Sequence, residues 1–206
     1  MLDALESPWP DVFSLMWDAY VAGTVPVGAV VADASGSIVA RGRNRIFDDG
    51  GESQLGRSYL AHAEINALLA IPPPPSRAPL TLYSVLEPCH LCLSAAYSTR
   101  MTAVRYAAPD PYGGAVGKLL PSRDHDVHPV EISGPLPGTA GLLPELLHIA
   151  HMLWRVPNGN VVRLYRTMRP ELLEAARRLP PPDAGATLAD TVKVLESLDL
   201  QGSGDA

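Results

Sequence analysis

The chain reads A-H-A-E-I-N-A-L at residues 61–68 and L-E-P-C-H-L-C at residues 86–92. Between them these stretches hold three strong zinc donors, His62, Cys89 and Cys92, and one carboxylate, Glu64, two positions from the histidine. Three protein ligands leave one tetrahedral position free, as catalytic zinc sites do. Cys89 and Cys92 stand one helical turn apart, so both sulfurs can face one point. A helix N-terminus there favours thiolate over thiol. Two thiolates and a neutral imidazole bring the zinc site to zero charge. Glu64 lies close to the metal without having to bind it, the position of a proton carrier. A lone C-x-x-C is also the form of a redox pair or of half a structural zinc site, but the sequence has no second one. His90 lies inside the motif, and its position points away from the face that carries the two cysteines.

Outward from these stretches the chain alternates. Phe13, Met16, Trp17 and Tyr20 recur with helical spacing and predict a helix over residues 8–22. Residues 25–32 form a short apolar, β-branched run and 37–43 return as its hairpin partner. Residues 46–59 read as a loop. Helices are predicted over 61–71, 89–99 and 142–154, and strands over 80–86, 102–107 and 127–132. Residues 109–114, P-D-P-Y-G-G, form a turn-rich loop. Past Arg155 a short strand is predicted at 161–165 and helices at 171–179 and 188–198. Residues 180–185 read as a linker and 201–206 as disordered. Hairpin strands followed by alternating helix and strand predict an α/β fold with helices on both faces of one sheet.

Composition narrows the function. The 206 residues are 47% hydrophobic, enough for one sizeable core. Two cysteines three positions apart exclude a disulfide scaffold. A net charge of −6 argues against broad nucleic-acid binding. Residues 1–10 carry Asp3 and Glu6 and lack the apolar run of a signal peptide, and no stretch is apolar enough to span a bilayer. The expected location is the cytoplasm.

The motifs resemble those of the cytidine deaminase superfamily, in its branch of tRNA adenosine, guanine and cytosine deaminases. V-P-V-G-A-V-V at 25–31 resembles that branch's first strand, and the two zinc stretches resemble its zinc motifs. The resemblance covers roughly residues 12–147. It implies a three-layer α/β/α sandwich with a five-stranded mixed sheet, a bound Zn2+, and commonly a homodimer. It implies Glu64 as general acid and base, with His62, Cys89 and Cys92 as metal ligands. It further implies that Asn44 and the backbone amide of Ala63 bind the base, that Ala29 lines the pocket floor, and that Asp110 lies in a substrate loop. The branch's tRNA enzymes often carry glutamate before V-P-V-G, where this chain has Thr24, and a small or apolar residue after the first cysteine, where it has His90.

On this basis residues 1–155 are expected to form a zinc-dependent deaminase domain and 156–206 a partly helical extension. The expected function is hydrolytic deamination of a free nucleobase, nucleoside or similar small aminated heterocycle, with ammonia as product. The alternatives are a tRNA adenosine deaminase and a non-catalytic, zinc-stabilised scaffold. Trp154 and Tyr165 are weighed as lid aromatics. His148 and His151 read as a surface or core stripe, and His125 and His128 as solvated.

Overall fold

The structure is a computed structural model. It describes residues 5–51, 53–71, 79–118, 128–179, 181, 185 and 187–197. In chain order the elements are α1 (Trp9–Val21), β1 (Gly28–Asp33), β2 (Ile38–Arg43), α2 (Ala63–Leu69), β3 (Leu80–Leu86), α3 (His90–Ser98), β4 (Ala103–Ala108), β5 (Glu131–Ser133), α4 (Gly138–Arg155), α5 (Asn160–Met168), α6 (Pro170–Ala176) and α7 (Leu188–Glu196).

The five strands form one mixed sheet in the order β2-β1-β3-β4-β5. β1 pairs antiparallel with β2 and with β3, while β3–β4 and β4–β5 are parallel. Two glycines show which helix covers which face. A Cβ on Gly28 would fall 2.4 Å from the carbonyl oxygen of Val12 in α1, and one on Gly42 2.3 Å from that of Ala63 in α2. The helices therefore lie directly on the backbone at these points, where only glycine fits. Ala29 pairs with both Gly42 and Ser84, so the three share one face, and Gly28 points to the other. α1 and α4 pack on the Gly28 face, and α2, with α3 against it, on the Gly42 face. The result is the expected α/β/α sandwich.

The core is nearly continuous apolar packing. β1 is buried along all but its last residue, as its run of Ala and Val requires. Phe13, Met16 and Tyr20 of α1 are buried at the spacing expected of one helical face. The extension joins the same core: Val162 and Tyr165 of α5 and Leu172, Leu173 and Ala175 of α6 are buried in it.

Several element expectations are corrected. Residues 161–165 are not a strand; they lie within α5, with Val161, Val162 and Tyr165 buried on one side. Their β-branched composition favours a strand, but packing against α4 decides the outcome. The third parallel strand is shorter than expected, residues 131–133. α4 begins four residues earlier than expected and tolerates Pro144 inside it. Tyr165 is 1% exposed and so is no lid; Trp154 lies against Gly23 and is half exposed. The predicted linker falls partly, and residues 201–206 and His125 wholly, outside the described residues.

Candidate zinc centre and active site

α2 and α3 both begin at the metal site. His62 is the N-cap residue of α2 and Cys89 that of α3, each with extended backbone and no side-chain cap. Their side chains turn to each other instead. His62 Nδ1 lies 3.7 Å from Cys89 Sγ and 3.4 Å from Cys92 Sγ, and the two sulfurs are 3.6 Å apart. Around a tetrahedral zinc with Zn–S about 2.3 Å and Zn–N about 2.05 Å, donors stand about 3.8 Å apart for two sulfurs and about 3.6 Å for sulfur and nitrogen. The three donors fit that triangle, and their chemistry, one imidazole and two thiols, is a zinc set.

The electrostatics agree with ligand duty. Hydrogen bonding from Cys92, aided by His62 and opposed by burial, pulls the Cys89 thiol down to about 4. The same contact and burial push Cys92 up. Hydrogen bonding to Cys89 raises His62. One sulfur is thus a ready thiolate, and a metal ion would take the place of the remaining protons.

Glu64, on the first turn of α2, is buried beside the metal ligands. Ser84 Oγ donates to its Oε1 at 2.9 Å, and its Oε2 lies 3.3 Å from Cys92 Sγ. Burial raises its carboxyl above the ordinary carboxylate value. A basic carboxylate next to an open metal position is what proton transfer near neutral pH needs.

The other expected site residues sit around this centre. Ala29 is fully buried on the α2 face of β1. Ala63 is the first residue of α2, where a helix leaves its N–H without an intrahelical partner. Asn44 is buried just past β2; its Oδ1 accepts from Thr24 Oγ1 at 2.7 Å and from the Ile46 N–H at 3.1 Å. Asp110 is buried in the loop after β4, and its Oδ1 accepts the N–H groups of Tyr112 and Gly113, so one of its oxygens shapes the loop. His90 is exposed at the start of α3.

Three residues that hold the site have no counterpart in the motif reading. Ser84 orients Glu64. Glu87, next to the metal motif, accepts the N–H groups of Asp110 at 3.2 Å and Val116 at 3.0 Å, and pins the 109–116 loop beside Cys89. A Cβ on Gly114 would fall 2.3 Å from the Glu87 carboxyl carbon, so glycine lets that loop close. Asn66 bonds both the N–H and the carbonyl of Leu55 and the carbonyl of Arg43, which ties the 44–61 loop to α2. The only signal available for Asn66 was a polar residue on the inward side of a helix.

Behind the site, Glu145, His148 and His151 of α4 are buried, a core stripe rather than a surface one. His151 stacks on Phe47 of the 44–61 loop with centroids 6.2 Å apart, and the Arg155 guanidinium covers that ring at 3.4 Å.

Fold and site together define a class: a three-layer α/β/α domain with a one-histidine, two-cysteine metal centre and a buried carboxylate beside it. Residues 11–108, just under half of the chain, match the cytidine and deoxycytidylate deaminase zinc-binding region. The chain is 37% identical over 118 residues to a tRNA(Ile)-lysidine synthase of Deinococcus radiodurans, covering 56% of this chain and 19% of that one. It is 33% identical over 126 residues to a tRNA-specific adenosine deaminase of Haemophilus influenzae, covering 60% of this chain and 66% of that one. It therefore spans about a fifth of the first relative and just under two thirds of the second. A protein solved in complex with 2,6-diaminopurine is 22% identical and shares the fold, with TM-score 0.55 over 74% of this chain and 84% of that chain.

Proposed function

We propose that the protein is a zinc-dependent hydrolytic deaminase of a free nucleobase, nucleoside or similar small aminated heterocycle. The observation that carries this reading is the buried Glu64 carboxylate beside three donors spaced for zinc. In hydrolytic deamination water adds to the ring carbon that bears the amine, and ammonia leaves. His62, Cys89 and Cys92 would hold zinc, which would supply the Lewis acidity that makes water nucleophilic at neutral pH. Glu64 takes one proton of the attacking water and passes it to the ring nitrogen, then moves the second, from the newly added hydroxyl, to the amine as the C–N bond breaks and ammonia leaves. Its raised basicity suits it to both halves of that transfer. Ser84 holds one of its oxygens, so the other stays turned to the metal ligands. The Ala63 N–H and Asn44 meet the polar edge of the base, Ala29 forms the floor, and Asp110 shapes the wall.

A small substrate agrees with the net charge of −6, which opposes a polyanion. A second reading, deamination of adenosine in tRNA, is favoured by the relatives of that name and by the exposed Arg163, Arg166, Arg177 and Arg178 of the extension. A cytoplasmic location and a homodimer complete the proposal. Exposed Tyr59 and Leu60 before α2 and Leu91 in α3 offer apolar surface for a second copy. No helix among the described residues is long and apolar enough to cross a membrane.

Ammonia release from a panel of aminated bases, nucleosides and tRNA, over a salt series, tests the proposal. Turnover of one small compound, insensitive to salt, is expected. Turnover of tRNA alone, falling steeply with salt, would replace the first reading by the second.

A further inference from the structure

Thr24 is completely buried between α1 and β1. Its hydroxyl donates to Asn44 Oδ1 at 2.7 Å and accepts the Phe47 N–H at 3.4 Å. Asn44 Oδ1 also accepts the Ile46 N–H at 3.1 Å. A backbone N–H can only donate, so the amide atom that faces Ile46 is the oxygen. Thr24 then adds a second donor to that oxygen. Nδ2 is left facing the other way, and no described residue accepts from it. Among the described residues the buried polar atoms without a partner lie on His148, His151 and Tyr165 and do not include Nδ2. By strand alternation Asn44 continues the Gly42 row, on the face where Ala29, Ser84 and Glu64 meet. The partner of Thr24 on its other side is also held, because Arg155 and His151 of α4 both contact the Phe47 ring.

We propose that Thr24 is a positioning residue that locks Asn44 as a hydrogen-bond donor toward the substrate. The pocket then selects a heterocycle with an acceptor, a ring nitrogen or a carbonyl oxygen, on the edge that meets Asn44. This rests on the deaminase reading, in which Asn44 faces the base. Thr24 touches no substrate; it acts through the orientation of the Asn44 amide.

The test compares zinc-loaded wild type with Thr24→Val, which keeps the shape and removes the hydroxyl, and Thr24→Ser, which keeps the hydroxyl. Thr24→Ala takes the place of the valine variant if that one does not fold. The first readout is the pair of Asn44 side-chain amide proton signals in 15N NMR, assigned by their loss in Asn44→Asp. They should shift in Thr24→Val and stay in place in Thr24→Ser, whether or not any substrate is turned over. The second readout is the ratio of kcat/KM for the substrate over analogues in which one acceptor at a time is replaced by C–H. One analogue should lose about tenfold or more in wild type and Thr24→Ser, and much less in Thr24→Val. A wild type that deaminates nothing would end the deaminase reading, and the amide signals would still decide the role of Thr24. Unmoved signals, or unchanged analogue discrimination, in folded Thr24→Val would overturn the proposal.

Discussion

Ser84 Oγ stands 2.9 Å from Glu64 Oε1 and donates to it, joining β3 to α2 across the buried face of the sheet. Burial raises the Glu64 carboxyl, and the Ser84 bond pulls it back. Ser84→Ala removes that opposing effect, so the carboxyl should become more basic still. The proton-accepting form would then require a higher pH. The acid limb of kcat/KM against pH should move upward in Ser84→Ala, with activity at pH 6 falling more than at pH 8. An unmoved limb would mean that Glu64 is not the group that titrates.

Loss of a zinc ligand should cost both metal and fold. The three donors tie the starts of α2 and α3 together, and metal binding free energy is folding free energy where the site closes two elements. Cys89→Ser should lower the zinc content well below one per chain and lower the melting temperature. A strong chelator should do the same to wild type, and added zinc should reverse it. A chain whose melting temperature ignores chelator does not rely on this centre.

Gly42 is a contact between backbones. A Cβ there would fall 2.3 Å from both the Ala63 carbonyl oxygen and the Ala67 nitrogen, neither of which can swing aside. Gly42→Ala should push α2, and with it Glu64, off the sheet. Overpacking of this kind costs about 1–3 kcal/mol. Denaturant unfolding should show that loss together with weakened zinc retention, whereas Gly36→Ser, strained by its positive φ but with open space around its Cβ position, should cost stability and leave zinc untouched.

Buried histidines make stability fall in acid. Both ring nitrogens of His151 are buried without partners, and burial, aided by His148 and Arg155, pushes its pKa down to about 3. Burial lowers His148 too. In the unfolded chain histidine binds its proton near pH 6.5 (about). For His151, between there and about pH 3 the unfolded state holds the extra proton, so the stability present above about pH 6.5 is lost as pH falls, by about 1.4 kcal/mol per unit. His151→Leu should reduce the drop in urea midpoint between pH 7.5 and pH 5.5. An undiminished drop, at equal zinc content, would place the acid sensitivity elsewhere.

The candidate metal centre was legible because His62, Glu64, Cys89 and Cys92 stand at fixed local spacings on two helix starts. The layering was legible because β1 is an unbroken apolar run and α1 repeats with a helical period. Thr24, Asn66, Ser84 and Glu87 were not read in their roles, because each acts on a partner 11 or more positions away, which only the register and the loop paths bring near. α5 misled for a related reason. Val161 and Val162 favour a strand locally, and the apolar side of α4 draws them into a helix instead.

The central claim is that Glu64 moves protons beside a zinc held by His62, Cys89 and Cys92. The most direct measurement is ammonia release by Glu64→Gln and by wild type at matched zinc content. Glu64→Gln should keep about one zinc per chain and lose about 10²–10⁴-fold in kcat. Equal turnover by both proteins, or wild type that binds no zinc, would contradict the account.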